Sequence, residues 1–122
     1  MAAVGLRELT SVVLRQERTP TDRRSFTARL GPEGDLIIEG QDLGKGIESL
    51  SSFREYEWSL TVATADIPKL LAALKDGQGP FGAARGVLRA LQRRFSGSKA
   101  SELEPFLKEQ GIPYSFWNRI GD

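Results

Sequence analysis

The hydrophobic period changes abruptly near the middle of this chain. Tyr56, Trp58, Leu60 and Val62 face one way, and Glu57, Ser59, Thr61 and Ala63 fall between them. A two-residue period held this long is that of a half-buried strand. Directly after it, Ile67, Leu70, Leu71 and Leu74 follow i, i+3, i+4, i+7 spacing, which puts four large side chains on one helical face. Such a switch calls for a fold that packs helices on a sheet. What lies on either side narrows the choice further.

Upstream, the segments read as strands. Residues 9–17 are rich in β-branched side chains. Thr19-Pro20-Thr21-Asp22 is a turn, and residues 24–30 alternate with Phe26, Ala28 and Leu30 on one face. Gly31-Pro32-Glu33-Gly34-Asp35 then links this strand to Leu36-Ile37-Ile38-Glu39, which predicts an antiparallel hairpin. The glycines and serines of residues 40–54 predict a long loop.

Downstream, the segments read as helices. Asp66 is placed to cap the first, with Pro68 in its opening turn. Gly77-Gln78-Gly79 ends it. Pro80 opens a second helix reaching about residue 95, with Phe81, Ala84, Leu88, Leu91 and Phe95 as its apolar stripe. Ser101-Glu102-Leu103-Glu104 matches a capping box for a third, and Gly111 with Pro113 marks its stop. The aromatic tail from Pro113 to Ile120 predicts a short extended segment packed on the domain. Strands first and helices second predict an α+β fold: an antiparallel sheet of about four strands followed by about three helices on one face. The 122 residues suit a single domain spanning 1–122.

Composition limits the chemistry. The chain contains no cysteine and no histidine. That removes disulfides, thiolate nucleophiles, the commonest metal ligands and the commonest neutral-pH base. No cofactor or metal is expected. The glycines around Lys45 fail as a phosphate loop, because Gly46 stands where a hydroxyl residue is needed. Carboxylate catalysis through Glu39, Glu55 or Glu57 is the one enzymatic route left, against the plainer reading that strand-borne acids face solvent and pair with arginines. The chain is therefore read as a non-enzyme. Neither a signal peptide nor an apolar run of membrane-spanning length is apparent, so a cytoplasmic protein without membrane contact is expected.

Charge is balanced overall and uneven locally. Residues 31–60 carry seven acids against two bases, whereas residues 76–100 carry five bases against Asp76 alone. Arg85, Arg89 and Arg93 recur every four residues on the second helix and form one ridge. Such a ridge suits phosphate, giving a nucleic-acid reading. Its plainer reading is a solvated face opposite a core stripe. In the tail, Phe116 and Trp117 cannot both be buried by one face of a strand, and an exposed tryptophan suits a binding hot spot.

The strings Glu55-Tyr56-Glu57-Trp58, Thr61-Val62 and Ala65-Asp66-Ile67-Pro68 with Leu70-Leu71 resemble small uncharacterised proteins of high-GC Gram-positive bacteria, the actinobacteria. The closing Gly111-Ile112-Pro113-Tyr114 with Phe116-Trp117 shares that resemblance, which covers residues 55–74 and 111–122. Some of those proteins look like toxin-neutralising immunity proteins. The resemblance carries no catalytic residue. The missing catalytic chemistry, the charge split and the aromatic tail lead to the expected function, protein binding by occlusion through Glu55, Glu57, Tyr114 and Trp117, as in an immunity-type inhibitor. The alternative is a nucleic-acid-associated domain using Arg85, Arg89 and Arg93. An exposed antiparallel edge also allows a homodimer.

Overall fold

The computed structural model describes residues 11–44, 55–74 and 83–121. The strands are β1 (Ser11–Arg18), β2 (Asp22–Leu30), β3 (Leu36–Gly44), β4 (Glu55–Val62) and β5 (Ser115–Gly121). Between β4 and β5 lie a 3-10 turn (Thr64–Asp66), α1 (Ile67–Leu74), α2 (Ala83–Arg94), a second 3-10 segment (Gly97–Glu102) and α3 (Leu103–Glu109). The fold is α+β. Its sheet is antiparallel throughout, in the order β1-β2-β3-β4-β5, so β1 and β5 are its edges.

The strand count is five, where about four were expected. The tail does not merely pack on the domain. It pairs with β4 from Thr61 opposite Ser115 to Glu55 opposite Gly121. A second correction concerns β3, which runs on to Gly44 through residues expected to form a loop. Asp42 and Leu43 pair with both neighbouring strands there, so ladder bonds override local glycine content. The rest of that expected loop, the Gly77–Gly79 stop, the Pro80 start and Phe81 lie outside the described residues.

Local chemistry explains the turns. Between β2 and β3, Gly34 N–H donates to Gly31 O at 3.0 Å and Gly31 N–H to Asp35 O at 2.8 Å. Gly34 takes a positive φ of 88°, which glycine tolerates without a Cβ clash. Asp35 then reaches across to the start of the helical block. Its Oδ1 accepts from the Thr64 backbone N–H at 3.2 Å and from the Thr64 hydroxyl at 2.8 Å. Asp66, expected as the cap, instead closes the 3-10 turn. The stop of α3 forms as its sequence suggests. Gly111 adopts φ 68°, its N–H bonds Lys108 O, and Ile112 N–H bonds Leu107 O. These are the paired bonds of a Schellman motif.

The capping box at Ser101 does not form. Ser101 lies inside the 3-10 segment and its hydroxyl donates to Ser98 O at 3.2 Å. Glu104 is engaged elsewhere, as described below.

One face of the sheet carries the core. Val12, Leu14, Ala28, Leu36, Ile38, Leu60 and Val62 are buried there against Leu70, Val87, Leu88, Leu91, Leu103 and Leu107. The α1 stripe is the expected one, with Ile67, Leu70 and Leu74 buried and Leu71 half-buried. The helical layer lies most closely over β1 and β2 and reaches β4 at the buried Leu60 and Val62, while Phe116 of β5 stays exposed.

Candidate functional site

Strand register sorts the expected site residues onto two faces. Directly opposed residues on neighbouring antiparallel strands share a face. One row runs Val13, Thr27, Glu39, Ser59, Trp117 across all five strands. The row beside it includes Ser25, Gln41, Glu57 and Arg119, and the next includes Arg23, Leu43 and Glu55. No described helix packs on this side. Val13 is 51% exposed and Trp117 is 54% exposed. Trp117 stands opposite the small Ser59 and makes no ring contact among the described residues.

Charges on this open face are held in cross-strand pairs. Arg29 Nε donates to Glu39 Oε1 at 2.9 Å, and Arg119 Nη2 donates to Glu57 Oε1 at 2.8 Å. Gln41 donates to Glu55 Oε2 at 2.9 Å. The Glu55 carboxyl is held below its ordinary range, by a hydrogen bond shared with Glu57, then by Gln41 and by the positive potential of Arg119. Glu55, Glu57 and Trp117 thus gather on one surface.

Tyr114 does not join them. It is half-buried on the other side, where its hydroxyl donates to Glu104 Oε2 at 2.8 Å. Burial, and then the Glu104 carboxylate, push its phenol up to about 12. Tyr114 therefore ties the approach to β5 onto α3. This bond also occupies the carboxylate that the capping box would have used.

The basic ridge is only partly visible. Arg89 and Arg93 are exposed on α2, and the side chain of Arg85 lies outside the described residues. The neighbouring Arg94 is exposed as well and lies across the start of α3. Its guanidinium lies 4.7 Å from the Phe106 ring centre and donates to Leu74 O at 3.4 Å.

A second surface, unanticipated from the sequence, is a cleft of about 340 Å³ on the helix side of the sheet. Its floor is aromatic. Phe26 meets Trp58 edge to face at 4.8 Å, and Trp58 stacks on Phe116 at 6.3 Å with 19° between planes. Gly40, opposite Trp58, makes this possible: a Cβ at Gly40 would overlap the indole, which lies flat across β3. Ala100, Ser101 and Glu104 form the opposing wall.

Two arginines stand at the rim. Arg15 gets there through a β-bulge, since the register passes from Val13 opposite Thr27 to Arg15 opposite Phe26. Leu14 is the extra residue, so Leu14 and Arg15 both turn toward the helices. Arg15 Nε donates to Glu17 Oε2 at 2.8 Å, which holds the Glu17 carboxyl below its ordinary range. Arg24 Nε donates to Asp42 Oδ1 at 3.1 Å. The clue in the sequence was Gly40, which continues the alternation of Leu36 and Ile38 and so marks a close approach within a strand.

None of Glu39, Glu55 and Glu57 lines this cleft, so the strand-borne acids do not converge on it. Among the described residues there is no group of three or more acids able to hold a metal ion, and no helix is long and apolar enough to cross a membrane. No protein-family model, curated protein or solved structure matches the chain.

Proposed function

We propose that this chain is a protein-binding domain of the cytoplasm, and that its contact surface is the open sheet face around Trp117. The observation that carries the reading is an exposed tryptophan on a five-stranded face that no described helix covers. Glu55 and Glu57 lie on the same face. The row from Val13 to Trp117 crosses five strands, about 19 Å at the usual strand spacing. Trp117 stands on the edge strand with the Arg119–Glu57 pair in the adjoining row, and tryptophan is enriched among interface hot spots. The mode of action in this reading is occlusion, as in an immunity-type inhibitor. Tyr114 belongs to the scaffold of the surface rather than to the contact.

Site-specific photo-crosslinking tests the reading. A photoreactive amino acid replaces Trp117 in one variant and Lys108 of α3 in another, and both are exposed to nuclease-treated lysate of the source cells. A discrete protein adduct is expected from position 117 and not from position 108. A second copy of the chain in that adduct would make the partner this protein itself. Absence of an adduct at 117 in a folded variant overturns the assignment. Capture that depends on nucleic acid and fades with salt transfers the function to Arg89 and Arg93, because phosphate contacts release counterions.

A further inference from the structure

The cleft on the helix side has the parts of a ligand site, and its parts restrict the ligand. Its volume of about 340 Å³ is near the lower end of small-molecule pockets, which begin at roughly 300 Å³. That favours one or two rings over a nucleotide. The floor offers ring faces and edges from Phe26, Trp58 and Phe116, with Phe116 47% exposed. Aromatic surfaces of this kind take planar rings by stacking or edge contact.

The rim sets the charge. Arg15 and Arg24 each spend only Nε on a carboxylate, and their terminal nitrogens make no hydrogen bond among the described residues. A guanidinium presents its donors as a planar fork that matches a carboxylate. The carboxylates of Asp42 and Glu104 also line the cleft, which counts against a multiply charged anion. The bulge at Leu14 is the other sign of construction, since bulges recur where a side chain is re-aimed toward a site.

The geometry points to a binding site for a small aromatic monocarboxylate, its ring on the Trp58 floor and its carboxylate on the terminal nitrogens of Arg15 and Arg24. The site is independent of the sheet face on the other side.

The two tryptophans make the test internally controlled, because Trp58 and Trp117 lie on opposite faces. Each contributes one indole N–H resonance to a nitrogen-15 correlation spectrum, and Trp117→Phe assigns them. Indole-3-acetate and its neutral amide, indole-3-acetamide, are titrated into the full chain. The acid is expected to move the Trp58 resonance saturably and leave Trp117 in place. The amide should need at least about tenfold more ligand for the same shift, the loss of one charge-assisted contact. In the Arg15→Gln, Arg24→Gln double variant the two probes should bind alike. Equal affinity for acid and amide in the native chain overturns the proposal, and that comparison needs no variant to fold. So does a Trp58 resonance unmoved at millimolar acid, or equal movement of both resonances.

Discussion

The two faces of this sheet are made by the same strands, and Phe116 and Trp117 are neighbours in sequence. Their surroundings have little in common. Phe116 projects toward the helices and stacks on Trp58, yet stays 47% exposed because the helical layer lies mainly over β1 and β2. Trp117 projects the other way and is exposed because no described layer is there at all. One aromatic side chain is left open by a layer that stops short, the other by the lack of any covering layer among the described residues. The first circumstance makes a concave cleft with a built floor. The second makes a broad plane suited to another macromolecule.

Substitutions at adjacent positions should expose the difference. Leu60 is buried on the helix side and Ser59 faces outward. Leu60→Ala should cost about 2–5 kcal/mol, through lost burial and the cavity left behind. Ser59→Ala should fall within about 0.5 kcal/mol of zero. Urea denaturation measures both, and similar costs would break the contrast between the faces. Gly40→Ala comes next, at about 1–3 kcal/mol, because a methyl group there must displace the Trp58 indole. Near-UV circular dichroism should change with it, whereas Gln41→Ala on the open face should leave that signal intact.

Tyr114→Phe should cost about 1 kcal/mol by removing the bond to Glu104. It also carries a pH signature. The phenol is raised from 10.0 to about 12 in the folded protein, so the unfolded chain loses this proton first as pH rises. The contribution is complete below pH 10 and declines from there toward about 12. Unfolding midpoints of Tyr114→Phe should lack that part of the alkaline decline. The smallest effect is expected at Arg119→Gln, about 0.2–1 kcal/mol and fading with salt, because its partner Glu57 is a surface pair. Trp117→Ala should be similarly mild for stability while abolishing any partner contact made on that face.

Periodicity carried much of this architecture. Tyr56 to Val62 alternates as a strand does, the α1 stripe is the one its spacing implies, and Gly111 stops α3 where a left-handed residue is needed. What escaped reading depended on partners distant in sequence. The tail became a strand because β4 offered an unpaired edge, which no local pattern in residues 115–121 announces. Gly40 and Gly44 resembled loop chemistry until pairing placed them in β3, Gly40 between β2 and β4 and Gly44 against β2. The Ser101 capping box was consistent locally and did not form: Ser101 sits inside a 3-10 segment, and Glu104 accepts from Tyr114, ten positions away. The open-face grouping of Glu55, Glu57 and Trp117 was half legible. Alternation separates Trp117 from Phe116, but only register sets Trp117 one row from Glu57 and two rows from Glu55. The cleft was illegible because a one-residue bulge moves Arg15 to the face that simple alternation would deny it.

The pairing of β5 with β4 has a consequence for how the molecule assembles. Strands β1 to β4 are joined in order, each to its sequence neighbour, so their contacts are comparatively local. The contact between Arg119 and Glu57 spans 62 positions, with the whole helical block in between. Closing so large a loop is slow relative to forming a hairpin. On this topology β5 is expected to pair after the hairpins, and it pairs with the β4 edge that carries Trp58, Leu60 and Val62. A rim of that composition invites strands from other chains. The segment that completes the sheet is also the one that covers this edge of β4.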